Sequence, residues 1–68
     1  MKRYDQLLRY LKDNCLGTEV LTFSEIFSIC REHVDSDFIA AKSDFERYGF
    51  KIRKIDMNAR TVLFSREI

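Results

Sequence analysis

The sequence predicts an α+β fold: a single domain over residues 1–68, with three helices and a small two- to three-stranded antiparallel sheet in the order α-β-α-α-β-β. Three observations predict it. Tyr4, Leu7, Leu8, Leu11 and Cys15 recur at helical spacing. "TFSE" places Thr22 and Glu25 at capping-box spacing ahead of a second apolar run. "YGFKIRKIDMNARTVLFS" reads as a glycine helix stop, a strand, a turn and a returning strand.

The first helix carries its apolar residues on one face, and Arg3, Asp5, Gln6, Arg9, Lys12 and Asp13 fall off it. It ends within Asn14 to Gly17. "TEVLTF" is short and β-branched, so Val20 and Leu21 predict a brief strand. The second helix runs from about Phe23 to about His33, with Phe23, Ile26, Phe27, Cys30 and Val34 inward. "DSDF" supplies Asp35 or Ser36 as the next N-cap. The third helix buries Phe38, Ile39, Ala41, Phe45 and Tyr48, and Gly49 follows as the residue able to take positive φ. In the hairpin, Asp56 bonds its own downstream backbone and Asn58 tolerates the left-handed region. Phe50, Ile52 and Ile55 do not alternate strictly, which predicts a bulge near Arg53 or Lys54.

That order of elements, in a chain of this length, resembles a minimal winged helix-turn-helix domain. The segments "YDQLLRYLKDN", "VLTFSEI" and "YGFKIRKIDMNARTVLF" also resemble a family of small uncharacterised bacterial proteins. In that family a similar start and a similar Gly-aromatic hairpin ending flank a longer middle. The first resemblance implies nucleic-acid binding and transcription regulation, and the second implies no activity.

Charge narrows the function. The net charge is only +1, which argues against DNA binding by bulk charge. Its distribution is uneven: residues 1–14 carry +2, residues 19–35 carry −3, residues 36–48 carry −1 and residues 49–68 carry +3. The ends are basic and the middle is acidic. The leading reading is a non-enzymatic protein that contacts double-stranded DNA through Lys51, Arg53, Lys54 and Arg60 of the hairpin. Lys2, Arg3 and Arg9 help, and Ser43 and Arg47 lie on the outward stripe of the third helix. Ala40, Asp44 and the neighbouring Asp37 and Glu46 make that helix a poor reader of base edges. The alternative is a protein-interaction module, such as a phage- or mobile-element-encoded inhibitor or adaptor. It would present Glu32, Asp37, Asp44 and Glu46 to a basic protein surface.

Other chemistry finds little footing. Cys30-x-x-His33 with Cys15 supplies three soft ligands, one short of a structural zinc site, and both cysteines fall on core faces. A disulfide is not expected in a cytoplasmic chain. The lone His33 has no positioned nucleophile, so neither catalysis nor a cofactor is expected. No run of eighteen apolar residues and no small-residue cleavage site appear, which predicts a cytoplasmic protein without a membrane span. Tyr10, Ile29, Tyr48 and Leu63 exceed what one small core holds. They predict either incomplete burial or a patch for a partner or for self-association as a homodimer.

Overall fold

The computed structural model describes residues 3–67. The elements run α1 (Asp5–Asn14), β1 (Thr18–Thr22), α2 (Phe23–Cys30), α3 (Ser36–Ala40), α4 (Lys42–Arg47), β2 (Phe50–Asp56) and β3 (Thr61–Arg66). The sheet is antiparallel with strand order β1-β3-β2, so the last strand lies in the centre. α1 packs on α2, α2 on β1, and α4 on β2, which leaves one sheet face toward the helices and the other toward solvent.

The α1 stripe is buried as its spacing predicts. Tyr4, Leu7, Leu8, Leu11 and Cys15 all belong to the core. Tyr4, Phe38, Phe45 and Phe64 form an aromatic cluster at its centre. The Tyr4 and Phe38 rings meet edge to face at 5.4 Å, and the Phe45 and Phe64 centroids lie 6.0 Å apart. Such offset and edge contacts add to the apolar area the rings remove from water.

α2 opens on the predicted capping box. Thr22 Oγ1 accepts from the Glu25 amide at 3.0 Å, and Glu25 Oε1 accepts from the Thr22 amide at 2.8 Å. The helix stops at Cys30, three residues before His33, because Arg31 adopts the left-handed conformation with φ 61. Ile26 and Cys30 are buried, Phe23 and Val34 pack at the core's edge, and Phe27 turns instead to stack on His33.

The predicted third helix is two. Asp35 caps α3 by accepting from the amides of Asp37 and Phe38. At Ala41 the backbone departs from helical values, with φ −80 and ψ 1. Its amide is shared between the carbonyls of Asp37 at 3.0 Å and Phe38 at 3.1 Å. This tightened turn lies beside the aromatic cluster. Breaking helical continuity there costs less than failing to bury Phe38 or Phe45, since helix propensities differ by under about 1 kcal/mol and a buried Phe is worth about 3–5. The break leaves Ile39 and Tyr48 exposed, against the expectation that both are inward.

Gly49 ends α4 at φ 92, which only glycine adopts without strain. In the hairpin, Asp56 Oδ1 accepts from the amides of Asn58 and Ala59, each at 3.0 Å. The left-handed residue of this turn is Arg60, at φ 55, and not Asn58. The register between β2 and β3 shifts between Ile52 and Lys54, the predicted bulge.

Among the described residues, no helix is long and apolar enough to cross a membrane. Tyr10 and Ile29 pack at the edge of the core and Leu63 is half-buried, so of the four surplus apolar residues only Tyr48 is exposed.

Candidate nucleic-acid interface

The bulge decides what the hairpin presents. Before it, Phe50 and Ile52 point into the core and Lys51 points out. After it, Ile55 faces inward again beside Val62. The extra residue lets Arg53 and Lys54, consecutive in sequence, both face solvent on the same side as Lys51. Regular alternation would have sent one of them into the core. Three cations therefore share the open sheet face, alongside Leu63, opposite Lys54, and Val20, opposite Leu63.

The three are not equally free. Arg53 lies back over the sheet: its Nε donates to Ser65 Oγ at 2.9 Å and its Nη2 to Glu67 Oε2 at 3.3 Å. Ser65 in turn donates to the same Glu67 oxygen at 3.0 Å. Lys51 and Lys54 have no ion-pair partner among the described residues. Arg60 is set apart from them. Its carbonyl accepts from the Phe23 amide at 2.9 Å, which anchors the turn to the start of α2. Its side chain lines a cleft to which neither lysine contributes.

The remaining basic residues have other attachments. Arg3 Nη1 donates to Asp37 Oδ2 at 2.9 Å, and its Nε donates to Glu32 Oε1 at 3.0 Å. These two carboxylates raise the Arg3 pKa above its ordinary value, Glu32 contributing most. Arg47 pairs with Asp44 at 3.0 Å within α4. Arg9 is exposed on α1 in a shallow groove with Lys12 and Tyr48, and the Lys12 ammonium lies 5.9 Å from the Tyr48 ring centroid. Ser43 is exposed on α4. Lys2 lies outside the described residues.

The same contacts bear on the acidic residues. Glu32 and Asp37 are both occupied by Arg3, and Asp44 by Arg47. Of the four carboxylates predicted to meet a basic partner, only the exposed Glu46 has no ion-pair partner among the described residues.

Cys15 and Cys30 are buried, and burial pushes both thiols up from their ordinary pKa. The Cys30 thiol donates to the Ile26 carbonyl, while His33 stacks on Phe27 at 4.6 Å, so the Cys-x-x-His spacing does not converge. Among the described residues no group of three or more His, Cys, Asp or Glu could hold a metal ion.

Sequence spacing missed the surface pair Phe27 and His33, because Phe27 falls at a core position of the α2 stripe and His33 falls beyond a helix end that comes early. Comparison with known proteins finds no matching family model, no matching curated protein and no matching solved structure.

Proposed function

We propose that this protein is a non-enzymatic, winged-helix-like nucleic-acid-binding protein that grips the phosphate backbone of double-stranded DNA with the outer face of its hairpin. The carrying observation is the bulge at Ile52–Lys54, which gathers Lys51, Arg53 and Lys54 on one solvent face. The β1-β3-β2 order, with the helices preceding the hairpin, supports the winged-helix reading. The pairing of Glu32 and Asp37 with Arg3, and of Asp44 with Arg47, supports DNA as the partner by removing part of the repulsion a phosphate backbone would meet.

The same geometry argues for backbone contact over base reading. A recognition helix lays a continuous helical face in the major groove. Here the corresponding segment is broken at Ala41 into five and six residues and carries Asp37, Asp44 and Glu46. Binding through the hairpin is then insensitive to sequence, and regulation by this protein would come from occupying DNA or from a partner.

The test is fluorescence anisotropy of a labelled mixed-sequence duplex. Two or three phosphate contacts give a log–log salt slope of roughly −2 to −3. The double variant Lys51→Glu/Lys54→Glu should lose binding at least tenfold and flatten that slope. Asp44→Asn/Glu46→Gln should stay within twofold. A duplex that binds equally well to the lysine variant would overturn the hairpin as the contact surface, and no duplex binding at low salt would favour a basic protein partner for the acidic helices.

A further inference from the structure

We propose that the cleft between α2 and the hairpin turn is a nucleotide site, which holds an unstacked base of a single strand against the Phe27–His33 pair with its phosphate on Arg60. This goes one step beyond the hairpin reading: it rests on nucleic acid being the partner and names the form of it that this cleft takes.

The cleft has a volume of about 660 Å³. That lies inside the roughly 300–1,000 Å³ range of small-ligand sites. Its lining suits a nucleotide in three respects. First, the Phe27 and His33 rings are nearly parallel, 25° apart with centroids at 4.6 Å. His33 is exposed and Phe27 half-buried, so the pair presents a flat π surface at the cleft rather than filling the core. Stacking on such surfaces is how proteins take unpaired bases. Second, Ser24 and Ser28 sit one turn apart on the same side of α2 as Phe27, and their hydroxyls can donate to or accept from a base edge. Third, the lining contains a guanidinium and no carboxylate.

Arg60 is held there at some cost. It is one of two non-glycine residues with positive φ among the described residues. A non-glycine side chain is disfavoured in that region because its Cβ crowds the following carbonyl. The turn keeps it through the Phe23 amide bond to the Arg60 carbonyl at 2.9 Å. Glycine would take the same backbone without strain and asparagine with less of it, so the turn geometry does not explain an arginine there. Its guanidinium has no ion-pair partner among the described residues, which leaves it for an anion.

The experiment compares three labelled ligands of equal length by anisotropy: a single strand, the same strand with abasic sugars, and a duplex. The base-bearing strand should bind about tenfold tighter than the abasic one. His33→Gln, an exposed substitution that leaves the core untouched, and Phe27→Leu should each erase most of that difference. Arg60→Gln should weaken the base-bearing strand severalfold. Adenosine monophosphate should shift the His33 and Phe27 ring resonances in NMR. Equal binding of base-bearing and abasic strands, or a preference that survives His33→Gln, overturns the nucleotide site. If the duplex is then still held and released by Lys51→Glu/Lys54→Glu, the hairpin reading stands alone. Failure of every strand to bind, with no ring shifts from the mononucleotide, overturns both. Ring shifts from the mononucleotide without any strand binding would overturn both readings and make a free nucleotide the ligand of the cleft.

Discussion

Tyr4 shows how a single residue can serve packing against its own chemistry. Its ring is central to the aromatic cluster, yet its hydroxyl is buried with no hydrogen-bond partner among the described residues. Burial also pushes the phenol up from its ordinary pKa. An unsatisfied buried hydroxyl costs about 1–3 kcal/mol. Tyr4→Phe keeps the ring and removes the cost, so chemical denaturation should show unchanged or higher stability, by up to about 1 kcal/mol. A clear loss would mean that the hydroxyl is solvated. Asp56 behaves in the opposite sense. The amides of Ala59 and Asn58 hold its carboxyl below its ordinary pKa. A depressed pKa stabilises the fold above the unfolded-state value of about 3.9, and that contribution is lost as pH falls through the lower folded value. Acid titration of the wild type below about pH 4 should therefore loosen the turn, and Asp56→Ala should remove that part of the pH dependence while lowering stability at neutral pH.

At the scale of elements, α2 is the most dependent on local signals. Its capping box satisfies two amides that the helix itself leaves unpaired. Thr22→Ala should cost about 1 kcal/mol and lower Tm by about 4–8 °C in a domain of this size. The box, the Gly49 stop, the Asp56 turn and the bulge were all legible in sequence, because each is settled by residues within a few positions of one another. The break at Ala41 was not. Phe38, Ala41 and Phe45 have continuous helical spacing, and only the rings of Tyr4 and Phe64, distant in sequence, make the tighter turn preferable. The candidate interface divides the same way. The basic character of Lys51, Arg53 and Lys54 could be read directly, and the irregular spacing pointed to the bulge that aligns them. That Arg3 pairs with residues 29 and 34 positions away could not be read from local pattern at all.

At the scale of the whole molecule, Arg3 is what keeps the acidic middle of the chain quiet. It joins the start of α1 to Glu32 in the α2–α3 connection and to Asp37 at the start of α3. Arg3→Ala lowers the net charge from +1 to 0 and uncovers two carboxylates. Duplex affinity should fall severalfold at low salt and converge with wild type near 0.5 M salt, since exposed charges are screened over only a few ångströms there. A deficit that persists at high salt would mean that Arg3 shapes the fold and not only the field.

The central place of β3 has a consequence for how the chain is made. β1 is finished at Thr22, but its only neighbour in the sheet among the described residues begins at Thr61, about 40 residues later. At typical rates of synthesis, about 5–20 residues per second, roughly 2–8 seconds separate the two strands, and β1 has no strand to pair with until β3 is made and released. The sheet cannot close in that interval. Exposed Val20 and Leu21, a core residue still without Val62 to cover it, make this the period when the nascent chain is most apt to stick to another strand.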